Sequence, residues 1–98
     1  MSNGYETTRT VHVRIEGRVQ GVCYRAWASR LALQLGMAGW VRNRRDGSVE
    51  AVFSGPGDRV AEMLERCRQG PADAQVDGLR IVDEGGATPH GFEIISST

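Results

Sequence analysis

The chain has 98 residues, 40% hydrophobic and 24% charged, with twelve basic against twelve acidic side chains and no net charge. That length holds one domain with a core able to form without disulfides or metal. The even balance argues against nucleic acid or an anionic membrane surface as a partner. All twelve basic residues are arginine. Without lysine, a Walker-type phosphate loop and Schiff-base chemistry are excluded, whereas bidentate phosphate binding by arginine is not.

Residues 1–8 are polar and unpatterned and read as a flexible tail, leaving 9–98 as the single domain. Val11, Val13 and Ile15 alternate with His12, Arg14 and Glu16, which predicts a half-buried strand. Gly17-Arg18-Val19-Gln20-Gly21 follows as a glycine-bracketed loop. From Tyr24 to Leu35 the period changes: Tyr24, Trp27, Ala28, Leu31, Ala32 and Leu35 share one helical face, and Gly36 is placed to stop the helix. Gly39–Asn43 reads as a second strand and Arg45-Asp46-Gly47 as a hairpin turn. A third strand follows, with Val49, Ala51 and Phe53 facing inward.

Gly55-Pro56-Gly57-Asp58 opens a second helix, with Asp58 near its positive end. Its stripe is Val60, Met63, Leu64 and Cys67, and Glu62 and Arg66 form an i,i+4 pair. Gly70-Pro71 ends it. Val76, Leu79 and Ile81 suggest a less regular fourth strand, Gly85–Pro89 a loop, and Phe92 and Ile94 a short last strand.

This order predicts an α+β ferredoxin-like (split βαβ) sandwich. It has a mixed, mostly antiparallel sheet of four strands plus a short terminal fifth, and two helices on one face. The other sheet face is left partly wet. Trp27 and Trp40 read as core anchors, His12 as an open-face residue and His90 as a loop residue. Cys23, Cys67 and the two histidines show no metal-ligand spacing, so neither metal nor cofactor is expected. No apolar run approaches the ~20 residues of a membrane span and the polar start is no signal peptide, so a cytoplasmic protein is expected. A monomer suits the size.

The stretch most able to carry chemistry is Gly17-Arg18-Val19-Gln20-Gly21-Val22-Cys23-Tyr24-Arg25. It joins a strand to a helix N-terminus, where unpaired N–H groups and the macrodipole favour an anion. Its glycines let the backbone curl into a nest. Arg25 in the first helical turn meets the positive end of the dipole, a placement that costs a few tenths of a kcal/mol unless an anion lies between. A solvated Arg25 stays an open alternative at this point. Asn43, at the end of its strand, reads as ordinary turn chemistry, and Arg42, Arg44 and Arg45 as a solvated run beside the turn.

Gly17-Arg18-Val19-Gln20-Gly21-Val22-Cys23-Tyr24-Arg25 resembles the G-x-V-Q-G-V-x-[FY]-R signature of the acylphosphatases. Gly39-Trp40-Val41-Arg42-Asn43 with Asp46-Gly47-Ser48-Val49-Glu50 resembles the family's second signature, G-W-V-x-N…D-G-x-V-E. The resemblance runs from about Val11 to Ile94. It implies hydrolysis of an acyl phosphate to a carboxylate and inorganic phosphate, with phosphate or a similar anion as product and inhibitor. It also implies Arg25 as the phosphate-binding catalytic arginine and Asn43 as the residue that orients the attacking water. The backbone of Gln20, Gly21, Val22, Cys23, Tyr24 and Arg25 is implied as the phosphoryl cradle.

Two positions depart from the pattern. Cys23 stands where the family often has glycine, and Tyr24 where phenylalanine is commoner. The arginines after Cys23 fall at Arg25 and Arg30, which fails the C-x5-R spacing of a cysteine phosphatase. Cys23 is expected to be a buried, inert thiol. With the two helices read as parallel, Cys23 and Cys67 fall at opposite ends and no disulfide is expected. The alternative function is a non-catalytic anion-binding or accessory ferredoxin-like module. The same motif resembles the N-terminal domain of the large carbamoyltransferases that mature hydrogenases, but nothing follows Thr98, which favours a free-standing enzyme. An RNA-recognition module of this topology would display stacking aromatics on its central strands. Ser48–Phe53 offers one aromatic and a central carboxylate, so that reading is poor.

Overall fold

The computed structural model describes residues 7–98. In chain order the elements are β1 (Thr8–Arg18), α1 (Tyr24–Gln34), β2 (Ala38–Asn43), β3 (Val49–Pro56), α2 (Gly57–Gln69), β4 (Gln75–Glu84) and β5 (Phe92–Ile94). The sheet order is β4-β1-β3-β2-β5. β1 runs antiparallel to β3 and β4, β2 antiparallel to β3, and β5 parallel to β2. This is the α+β ferredoxin-like arrangement that the element order predicts.

Strand alternation places the core. Val11, Val13, Ile15, Val41, Val49, Ala51 and Phe53 are fully buried beneath the helices. Ala28, Leu31 and Ala32 of α1 meet them, as do Val60, Met63, Leu64 and Cys67 of α2, so both predicted helical stripes lie in one cluster. Each Val, Leu, Ile, Phe or Met side chain so removed from water contributes roughly 1.5–3 kcal/mol. α1 stops where Gly36 takes φ 72°: the Gly36 amide donates to Leu33 O at 3.2 Å and the Met37 amide to Ala32 O at 2.8 Å. These paired bonds satisfy carbonyls the helix cannot serve itself.

Several boundaries differ from expectation. Thr8, assigned to the tail, pairs with Pro56 in the sheet, and residues 1–6 of that tail lie outside the described residues. Gly17 and Arg18, assigned to the loop, remain in β1. Gly17 (φ 127°) sits at a register shift against β4, and a Cβ there would fall 2.2 Å from Gln75 O, so only glycine lets the two strands stay this close. β4 itself is an outer strand with a second register shift opposite His12/Val13, and it leaves Ile81 and Val82 exposed.

The helices run antiparallel, not parallel. Each returns against the strand before it, and those strands, β1 and β3, are antiparallel. Cys23 and Cys67 therefore lie at the same end of the helical layer, yet both are free, Cys23 exposed and Cys67 buried. Burial pushes the Cys67 thiol up to about 12.

The sheet face away from the helices carries a charged lattice centred on Glu50. Its carboxylate accepts from Arg42 Nε (2.8 Å), from an Arg44 guanidinium nitrogen (2.7 Å) and from His12 Nε2. Glu50 is only 4% exposed. The arginine run is therefore not simply solvated: Arg42 and Arg44 are committed to this carboxylate. Trp40 belongs to the same face rather than to the core, because it alternates with buried Gly39 and Val41. The Trp40 ring meets His12 edge-on at 5.7 Å and lies 5.1 Å from the Arg42 guanidinium.

Burial works to raise the Glu50 pKa, but the hydrogen bonds from Arg44, Arg42 and His12 outweigh it and hold the carboxyl at about 2. A carboxyl with a depressed folded-state pKa contributes stability that is complete above its unfolded value and lost as pH falls through the folded one. Urea denaturation between pH 5 and pH 2 should therefore show a steeper loss of stability in the parent than in Glu50→Gln. Parallel curves would remove Glu50 as the acid-sensitive group.

Candidate active site

β1 leaves the sheet at Arg18, and the chain turns through residues 19–23 before entering α1 at Tyr24. Two left-handed residues one apart, Gly21 (φ 75°) and Cys23 (φ 62°), curl the main chain. Among the described residues, no acceptor is hydrogen-bonded to the amides of Gly21, Val22, Cys23, Tyr24 or Arg25. The earliest bond of the helix runs from the Trp27 amide to Cys23 O, at 3.0 Å. Cys23 is the N-cap residue but makes no side-chain capping bond. The loop and the first turn thus present a row of free donors at the positive end of the helix dipole.

Arg25, the second residue of α1, adds a full positive charge to that pole. The first turn of α1 contains no acidic residue, and Arg25 makes no ion pair or hydrogen bond among the described residues. Arg25 lines a concavity of about 450 Å³ together with Val19, Gln20, Gly21, Cys23, Tyr24, Ala26, Asn43 and Ile94. Such an unopposed cluster of donors and charge attracts an oxyanion.

Asn43 reaches the concavity from the far side. It shares the helix-facing side of β2 with Val41, and its main chain is held by pairing with Val49 and by the Thr98 amide, which donates to Asn43 O at 3.1 Å. Its side-chain Oδ1 is buried and has no hydrogen-bond partner among the described residues. A buried amide oxygen without a donor costs free energy. Its place in the wall of the concavity makes it an acceptor for a small donor held there.

Two side chains fasten the loop. Gln20 Nε2 donates to Arg44 O (2.7 Å) and to Ser48 O (2.9 Å), both in the turn between β2 and β3. The Tyr24 hydroxyl donates to Cys67 O at 2.7 Å, serving one of the last carbonyls of α2. The Tyr24 ring is buried and packs against Trp27 with centroids 5.3 Å apart. Burial, with Cys67 beside it, pushes its phenol far above the ordinary value, so Tyr24 stays neutral.

The structure brings Gln20, Gly21, Cys23, Tyr24, Arg25 and Asn43 around one cavity. Val22 turns its half-buried side chain onto the core and is not in the cavity wall. Cys23 is exposed, against the expectation of a buried thiol, because the left-handed backbone turns it out of the helix–sheet interface. That conformation favours glycine, and Cys23 adopts it with a side chain in place. Sequence reasoning missed the side-chain role of Gln20 and the apolar walls from Val19 and Ile94. Ile94 reaches the site only because β5 pairs with β2, a long-range contact without a local signal.

A curled loop feeding a helix, with a free arginine and a facing asparagine on an antiparallel sheet, defines a small α+β oxyanion-binding domain. The acylphosphatase family model matches residues 11–94. An acylphosphatase of Nitrobacter hamburgensis is 65% identical over 65 residues, 66% of each chain. One from Rhizorhabdus wittichii is 52% identical over 84 residues, 86% of this chain and 83% of its own. The solved structure of an acylphosphatase from Coxiella burnetii matches with a TM-score of 0.86 at 29% identity, over 97% of this chain and 100% of that one. The chain belongs to the acylphosphatase family.

The Tyr24–Cys67 bond predicts a stability effect separable from chemistry. Tyr24→Phe leaves a buried helix-end carbonyl unserved and should cost about 1–3 kcal/mol in urea denaturation, with turnover little changed. A variant of parental stability would mean that the hydroxyl contributes nothing there.

Proposed function

We propose that this protein hydrolyses the carboxyl–phosphate bond of acyl phosphates by in-line attack of water, releasing a carboxylate and inorganic phosphate. The observation that carries this reading is that Arg25, unpaired among the described residues, shares one cavity wall with Gly21, Cys23, Tyr24 and Asn43, beside main-chain amides that no acceptor takes. The doubly charged phosphoryl group sits between guanidinium and amides. In this scheme those donors bond the three equatorial oxygens, where charge spreads in the transition state. Asn43 Oδ1 accepts a hydrogen bond from the attacking water and holds it in line with phosphorus.

The remaining chemistry is simple. The leaving group is a carboxylate, the conjugate base of an acid with pKa of roughly 4.3, and it departs without a protonating side chain. The proton lost by water passes to a phosphoryl oxygen of the substrate. Val19 and Ile94 supply apolar wall for the acyl chain. A monomer is part of the proposal. Among the described residues no helix is long and apolar enough to cross a membrane, and a cytoplasmic setting is part of the proposal.

Hydrolysis of acetyl or benzoyl phosphate in EDTA tests the scheme. The parent should turn over at full rate, and Arg25→Ala should lose at least about 10²–10³-fold in kcat/KM. Turnover abolished by EDTA, or surviving the substitution, would contradict it. Phosphate binding without any turnover would favour the accessory-module reading.

Asn43→Ala separates aim from grip. Its kcat should drop about 10²-fold while inhibition by inorganic phosphate stays within about threefold of the parent. Weakened phosphate binding at normal kcat would reject the role given to Asn43.

A further inference from the structure

We propose that the Gln20 side chain is a positioning residue that sets the distance between the phosphoryl cradle and the water-aiming Asn43. The inference rests on the roles just given to Arg25 and Asn43. Pairing between β1 and β3 ends at Ile15 and Val49, so the loop that follows β1 leaves the sheet with no ladder bond to the β2–β3 turn. Among the described residues, the only hydrogen bonds joining residues 19–25 to residues 43–48 are the two from Gln20 Nε2, to Arg44 O at 2.7 Å and Ser48 O at 2.9 Å.

Both hydrogens of one carboxamide nitrogen are used, and both acceptors are main-chain oxygens. The two bonds therefore tie the loop to the main chain of the turn through one side chain. Arg44 directly follows Asn43, and its amide also donates to Ser48 O, at 2.9 Å, so the two acceptors already form one rigid unit. Gln20 itself belongs to the cavity wall alongside Asn43 and Arg25. One side chain thus holds the oxyanion donors at a set separation from Asn43 Oδ1, without touching the phosphoryl group. A shift of about 1 Å in such an alignment can cost 10²-fold in rate.

The test is a double-mutant cycle on benzoyl phosphate, with inorganic phosphate as competitive inhibitor. Gln20→Met keeps length and shape but removes both donors. It should lower kcat about tenfold or more and leave phosphate inhibition within about threefold. In the Asn43→Ala background the same change should cost less than about twofold, because there is no longer an aimed water to misalign. Gln20→Glu, which sets a carboxylate against two carbonyl oxygens, serves as the second variant and should lower kcat further with the same coupling.

Additive losses in the two backgrounds would overturn this proposal while leaving Asn43 in its role. Weakened phosphate inhibition with kcat intact, or a lower melting temperature with kcat intact, would overturn it too, the latter marking Gln20 as merely structural. If Asn43→Ala alone keeps parental kcat, the aimed water fails, and the positioning role of Gln20 fails with it.

Discussion

A helix N-terminus with an arginine in its first turn, and no acid in that turn, is a positive pole without a counterweight. Everything else at the candidate site follows from leaving that pole open. The loop amides before α1 stay unpaired because Gly21 and Cys23 bend the chain away from acceptors. Arg25 has no acidic partner among the described residues. Glu50 is taken by Arg42 and Arg44, and Glu84 by Arg9. The protein bears the electrostatic cost of an unsatisfied site at rest, a cost that the proposed binding of an oxyanion removes.

The two faces of the sheet divide the work. Toward the helices, β2 carries Val41 into the core and Asn43 into the cavity wall, so the packing that stabilises the fold also aims the asparagine. Away from them, the Glu50 lattice ties β1, β2 and the turn together by charge-assisted bonds. Asp46 closes that turn by accepting from the Ser48 amide and hydroxyl, at 2.9 and 2.6 Å. Rigid support of this kind lets a short loop act as a template.

How much of this the sequence reveals depends on the range of the interactions. Helical stripes and strand alternation are local periodicities, so Val60, Met63, Leu64 and Cys67 were legible as a buried face, as were Val11, Val13 and Ile15. The glycine loop and Arg25 were legible as a candidate anion site at an element boundary, whereas Asn43 read as turn chemistry until the family signature singled it out. Trp40 was misread because size suggested burial, whereas its parity on the strand put it opposite Val41. The helix directions were misread although the strand order implied them, and that moved Cys23 and Cys67 to the wrong ends. The Gln20 bridge and the Ile94 wall depend on tertiary pairing and left no local trace.

The outer strand β4 has a consequence for the protein in concentrated solution. An edge with a straight row of open amides and carbonyls templates growth by neighbouring molecules, and apolar side chains such as Ile81 and Val82 would encourage it. Here the two dislocations in its pairing with β1 break that row. Arg80, near Glu16 at 3.5 Å, and Asp83 and Glu84 place charge along the same border. The combination disfavours fibril-like stacking, so a small open sheet can remain dispersed without a third helix to shield its rim.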